Sequence, residues 1–157
     1  MHLRLASADD LPALAELYSY TVRKLGPALY TADQVRVWSA SPDDAERFRG
    51  FVLNAHTLVA MVEDSPHPVG FAGLEPNGRI ASLYVHADYC RRGIGTALLT
   101  AILEKAQADG LTRLRTEASK FSRPVFERFE FELDEVERGM HHGVPFMRFL
   151  MSRGTLA

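Results

Sequence analysis

The chain has one cysteine, Cys90, in 157 residues, so it has no partner for an intramolecular disulfide and cannot build a cysteine-based zinc site. It has no Lys-Ser or Lys-Thr pair, which excludes a P-loop. It has no excess of either charge: 18 basic against 20 acidic side chains leave a formal charge of -2. That balance offers no general field for nucleic acid or an anionic membrane, so any anion site must be local. No apolar run approaches the ~20 residues needed to span a bilayer, and Met1-His2-Leu3-Arg4-Leu5-Ala6 contains no signal-like apolar stretch. The reading is a soluble cytoplasmic protein.

Repeats, low-complexity tracts and linkers are missing too, so residues 1–157 read as one domain. An apolar content of 46% with 24% charged residues can supply its core. His2 to Ala6 reads as a strand. Ser7-Ala8-Asp9-Asp10 is a capping box with Asp for the usual Glu, opening a helix whose stripe is Leu11, Leu14, Leu17, Tyr18 and Val22, broken at Gly26-Pro27. Thr31-Ala32-Asp33-Gln34 starts a second helix, and Ser41-Pro42-Asp43-Asp44 a third with proline in its first turn.

From His56 the pattern is that of successive antiparallel strands: Thr57 to Val62, Val69 to Leu74 and Arg79 to His86, separated by turn-forming segments. A long helix follows, with Ile94, Leu98, Leu99, Ile102 and Leu103 on one face and Gly110 at its end. Leu111 to Ala118 is a strand and Pro124 to Phe129 a short helix. Phe131 to Arg138 and Val144 to Met151 are the last strands, with Gly139-Met140-His141-His142-Gly143 as a loop between them. This order predicts an α/β (α+β) fold on a mixed, mostly antiparallel central sheet flanked by helices.

The turn Arg91-Arg92-Gly93-Ile94-Gly95-Thr96 joins a strand to a helix start. Amides in a first helical turn lack intrahelical partners and lie at the positive end of the helix dipole, so they attract phosphate oxygens. Gly93 and Gly95 leave the backbone open, Arg91 and Arg92 add charge, and Thr96 offers a hydroxyl. A dinucleotide-binding fingerprint wants a small residue where Leu98 stands. Two glycines at a helix start also arise from close packing alone.

Leu83-Tyr84-Val85, Tyr89 and Arg91 to Leu99 together resemble the acetyl-CoA motif of the GNAT superfamily, Q/R-x-x-G-x-G/A. The likeness extends to the first strand and helix, and from Glu117-Ala118-Ser119 to Phe131. The resemblance implies an N-acetyltransferase in which a primary amine of a small molecule or peptide attacks acetyl-CoA directly, with acetyl-CoA as co-substrate and no metal. The cofactor-binding residues it implies are Leu83, Tyr84, Val85, Arg91, Arg92, Gly93, Ile94, Gly95, Thr96, Ser119 and Phe126. A backbone N–H in Leu83 to Val85 would serve the thioester oxygen, and the strand edge would pair with the pantetheine amides.

Two positions depart from the family pattern. Cys90 stands where Gln or Arg is usual, and nothing in the sequence marks it as a reactive thiolate. In Val125-Phe126-Glu127-Arg128-Phe129-Glu130-Phe131 the usual tyrosine is Phe126 and the usual glycine Glu130. Phenylalanine cannot protonate a leaving thiolate, so Ser119, Ser122 or Tyr84 becomes the candidate acid, and an acyl-CoA-binding regulatory or interaction module is the alternative function. Glu75 is the first candidate base, followed by Glu63 and His86; the plain reading of each is a solvated strand-end charge. Tyr18, Tyr20, Tyr30 and Trp38 are candidates for an acceptor wall or for ordinary core. His141-His142 is a solvated loop, a cleft residue pair or a weak metal signature. Dimers are common in folds of this kind, and Val144 to Met151 is a candidate for pairing across subunits.

Overall fold

The computed structural model describes residues 1–155, and among them one seven-stranded sheet runs in the order β1-β2-β3-β4-β5-β7-β6. The strands are β1 His2–Leu5, β2 His56–Met61, β3 Gly70–Leu74, β4 Arg79–Val85, β5 Arg113–Ala118, β6 Glu132–His141 and β7 Val144–Gly154. The helices are α1 Leu11–Leu25, α2 Ala32–Ser39, α3 Ala45–Leu53, α4 Ile94–Ala108 and α5 Arg123–Arg128. All neighbouring strands are antiparallel except β4 and β5. Two cores cover the two faces. Leu98, Leu99 and Ile102 of α4, each fully buried, pack with Leu114 and Phe126 on one face, each contributing about 1.5–3 kcal/mol. Leu14, Leu17 and Tyr18 of α1 pack with Phe48, Val52 and Phe71 on the other.

The capping residues act as the sequence predicts, with one addition. Asp10 accepts the Ser7 N–H at 2.8 Å and also takes both Arg4 nitrogens at 2.8 and 2.9 Å, joining β1 to the entry of α1. Thr31 and Gln34 form a reciprocal box at α2, and the Gln34 amide donates to the Pro145 carbonyl at 2.9 Å, tying α2 to the start of β7.

Two sequence expectations are corrected. Ser41–Asp43 is a separate single 3-10 turn, and α3 starts after it with Asp44 accepting from the Arg47 N–H at 3.1 Å; proline's missing donor is used in the earlier turn. The expected loop from Gly139 to Gly143 is mostly strand. Only His142 (φ 50) and Gly143 (φ 76) turn the chain, and two successive positive φ values make the two-residue hairpin that matches strand twist. β7 lies between β5 and β6, pairing with β6 from Val144 to Ser152 and with β5 from Phe149 to Gly154.

The β4–β5 contact governs everything that follows. Their pairing is confined to Arg79↔Arg115 and Ile80↔Thr116. At the same level β4 carries an extra residue against β3, between the pairs Leu74↔Ile80 and Gly73↔Ser82. An inserted residue bends a strand, and here the strands part just past it, opening the sheet toward the C-terminal ends of both.

Candidate active site

The split admits two clefts. The first, about 460 Å³, lies between β4, the start of α4, α1 and the β5–α5 connection. The second, about 850 Å³, lies between β4–β5, α2, α3 and the β6–β7 turn. Trp38, Tyr84 and Ser119 line both, so the two clefts meet at these side chains.

The first cleft is floored by the turn into α4. Gly93 caps that helix at φ 79, which any other residue enters only under strain, and Arg91 holds φ 65. Among the described residues, the amides of Arg91, Arg92, Gly93, Ile94, Gly95 and Thr96 reach no acceptor; the first that does is Ala97, on the Gly93 carbonyl at 3.0 Å. Six unpartnered donors thus lie in succession at one helix start. Packing does not explain Gly95: a methyl there would touch only Val85, at an ordinary 3.5 Å. Arg91 and Arg128 line this cleft without a carboxylate partner among the described residues, and no Asp or Glu lines it.

Its other wall is β4. The His86 N–H bonds the Val69 carbonyl of the β3 side, and antiparallel bonding alternates, so Tyr84 turns its main chain to β3 while Leu83 and Val85 turn theirs into the split. Tyr84 contributes by side chain instead. Its ring stacks on Phe71 at 5.3 Å and its oxygen accepts the Trp38 indole N–H at 3.3 Å; burial raises its phenol well above the usual range, so it keeps its proton. Ser119 and Ser122 oxygens lie 3.2 Å apart. The Ser119 oxygen accepts the amides of Phe121 and Ser122, and the Ser122 oxygen accepts that of Ser119. Two hydroxyl hydrogens share one contact, which leaves one to point elsewhere.

The structure gathers Leu83, Tyr84, Val85, Arg91, Gly93, Ile94, Gly95, Thr96, Ser119 and Ser122 on the first cleft. It leaves out two residues expected there. Arg92 turns its side chain to Asp64 at 3.1 Å and over the Tyr89 ring. Phe126 is 2% exposed, edge-on to Phe131 in the core, while its neighbours Val125 and Ser122 face the cleft. Cys90 lines the cleft, with burial pushing its thiol up against the opposing pull of Arg91.

The base candidates fare differently. Glu75 sits in the β3–β4 turn, bonds Arg79 at 3.0 Å and lines neither cleft. Glu63 and His86 line neither, the latter accepting the Asp88 N–H through Nδ1. Glu117, unselected from sequence, faces the second cleft. The signal for it existed: Leu114, Thr116 and Ala118 are buried, which sends Glu117 to the opposite face. Arg128 was also passed over; its position in the short helix, three residues after the cleft-facing Val125, was the available clue. Of the aromatics, Tyr18, Tyr30 and Trp38 line the second cleft, whereas Tyr20 bonds Asp88 at 2.9 Å outside it. His141 and His142 line it as well. Among the described residues no group of three or more His, Cys, Asp or Glu could hold a metal, and no helix is long and apolar enough to cross a membrane.

Comparison with known proteins agrees with this geometry. A family model described as "Acetyltransferase (GNAT) domain" matches residues 28–152. YafP, an uncharacterized N-acetyltransferase of Escherichia coli (strain K12), is 25% identical over 151 residues, covering 96% of this chain and 94% of that one. A Rhodopseudomonas palustris crystal structure described as "GCN5-Related N-acetyltransferase: Aminotransferase, Class-II" is 27% identical with a TM-score of 0.91, over 98% of this chain and 94% of that one. PaiA N-acetyltransferase of Thermoplasma acidophilum, solved in complex with coenzyme A, shares the fold at 18% identity, with a TM-score of 0.75 and 98% coverage of both chains.

Proposed function

The chain belongs to the GNAT acetyltransferase family, and on that premise we propose that it transfers the acetyl group of acetyl-CoA to a primary amine of a small molecule or peptide by direct attack. One observation carries the proposal: Arg91, Gly93, Ile94, Gly95 and Thr96, whose amides have no partner among the described residues, line a carboxylate-free cleft that opens, past Tyr84 and Ser119, onto a second cleft. The first cleft takes the pyrophosphate at the helix start and the pantetheine arm along the free edge of β4. The second takes the amine.

The chemistry follows from that arrangement. A lysine-like amine near pKa ~10.4 is neutral only about once in 2,500 molecules at pH 7, so losing its first proton is part of the barrier. The neutral nitrogen then bonds the acetyl carbon, and the thioester oxygen gains charge against the Leu83 or Val85 amide. The carbon–sulfur bond breaks with its electron pair on sulfur, and the nitrogen's second proton passes to the thiolate through Tyr84 or the Ser119–Ser122 hydroxyls. A thiol pKa near ~8.5 makes that last transfer undemanding, which suits a site with Phe126 in the core.

Thiol release from acetyl-CoA in the presence of an amine panel tests the proposal. Amine-dependent release is expected. The buried Phe126 favours one other reading, a CoA-binding regulatory module, which predicts cofactor binding with no amine-dependent release.

A further inference from the structure

We propose that Glu117 is the carboxylate that receives the acceptor's ammonium group, and that the acceptor carries this group on an aromatic or aliphatic stem. The inference rests on the acetyl-transfer reading and deepens it by naming what the second cleft recognises.

Glu117 lies one residue beyond the last β4–β5 rung, on the face that looks into the second cleft, with its side chain 23% exposed. Ser119, where the two clefts meet, is two residues on, or about 7 Å along an extended chain. An amine held at Glu117 is therefore within reach of an acetyl group delivered from the first cleft.

The carboxylate is fixed without being neutralised. The Arg79 Nε–H is shared between both Glu117 oxygens at 3.2 and 2.9 Å, while Nη1 of the same guanidinium bonds Glu75 at 3.0 Å. Two carboxylates around one guanidinium leave a formal charge of -1. A carboxylate offers about four acceptor sites, and one shared N–H leaves capacity for an ammonium. Arg79 is thus a positioning residue, and Glu75 acts by holding it.

The remaining walls describe the rest of the acceptor. Trp38, Tyr30, Tyr84 and Phe51 present rings, whose faces attract a cation and whose bulk suits an apolar stem. At the rim, Arg36 and Arg148 are bound to Asp33 and Glu137, while Arg47, Asp43 and Asp44 have no ion-pair partner among the described residues, so both signs of charge remain there.

Trp38 is the only tryptophan of the chain and lines both clefts, so its fluorescence reports each of them. Phenethylamine, its neutral isostere 2-phenylethanol and acetyl-CoA are titrated separately into wild type and Glu117→Gln. Expected are saturable phenethylamine binding in wild type and a loss of about 10- to 100-fold in phenethylamine affinity in E117Q. Unchanged 2-phenylethanol affinity in E117Q shows that the cleft is intact. Equal phenethylamine affinity in both proteins, or no saturable response in wild type, overturns the assignment. The acetyl-CoA arm is read on its own: its failure removes the acetyl-transfer reading and leaves the Glu117 result to stand on the amine titrations.

Discussion

The two clefts that meet at Tyr84 are made of different materials. The first is built from main chain: the free amides of Arg91, Gly93, Ile94, Gly95 and Thr96, the open edge of β4, and two arginines without a carboxylate partner among the described residues. The second is built from side chains: Asp43, Asp44 and Glu117 face it, with four arginines, two histidines and a wall of rings. A backbone site suits a ligand that never changes, because it survives drift in most side chains. A side-chain site can be retuned residue by residue, which is how one fold can serve many acceptors.

The largest expected effect keeps the clefts apart. Gly95→Glu places bulk and negative charge among the amides and should weaken acetyl-CoA by more than about 100-fold. Calorimetric titration checks this, and phenethylamine binding should stay within about twofold of wild type. An equal loss in both clefts would break the distinction.

Phe126→Tyr separates core from site. If Phe126 faced the sulfur, a phenol there would raise turnover. Because the ring is buried against Phe131, the added hydroxyl should instead cost about 1–3 kcal/mol in urea unfolding, with no gain in rate.

Asp10→Asn should touch neither cleft. The Arg4 guanidinium, with help from the Ser7 N–H, holds the Asp10 carboxyl below its ordinary 3.8. A depressed carboxyl contributes stability in full above its unfolded value and loses it as pH falls through the lower folded one. The variant should be about 1–2 kcal/mol less stable at pH 7, and the difference should shrink below about pH 3.8.

Arg128→Ala tests charge in the first cleft. With no partner to hold it, Arg128 should act on phosphate through solvent, so its loss should weaken acetyl-CoA by about 3- to 10-fold at low salt and less at 0.5 M salt. The smallest effect concerns Glu130, held at φ 66 just past α5, where the Phe131 N–H returns to the Phe126 carbonyl at 3.0 Å. Glycine pays no Cβ penalty there, so Glu130→Gly should raise stability by about 0.5–1 kcal/mol and leave both clefts unchanged.

The difference in material also explains what the sequence could disclose. The α4 turn is contiguous, and residue type and order alone suggest a phosphate site there, though not that Arg92 turns its side chain to Asp64. Strands β1 to β4 were readable too, since their alternation and turns are local. The second cleft draws on α2, the Ser41–Asp44 segment, β5 and the β6–β7 turn, which come together only through the strand order β5-β7-β6. Glu75 and Glu117 both end strands in the sequence. Alternation along β5 sets the face Glu117 takes, but that face borders a cleft only because the strands part beyond the extra residue in β4, whereas Glu75 lies in the β3–β4 turn and backs Arg79. Phe126 was misplaced for a related reason: in a six-residue helix, one step of rotation decides between cleft and core, and family position does not fix that step.

The most direct test of the central claim is thermal unfolding with acetyl-CoA, free CoA or ATP. At 100-fold over the dissociation constant a ligand adds ~2.7 kcal/mol, which for a chain of this size is a midpoint rise of roughly 5–11 °C. The account predicts that rise with acetyl-CoA and CoA, none with ATP, and its loss in Gly95→Glu. No rise with millimolar acetyl-CoA would contradict it.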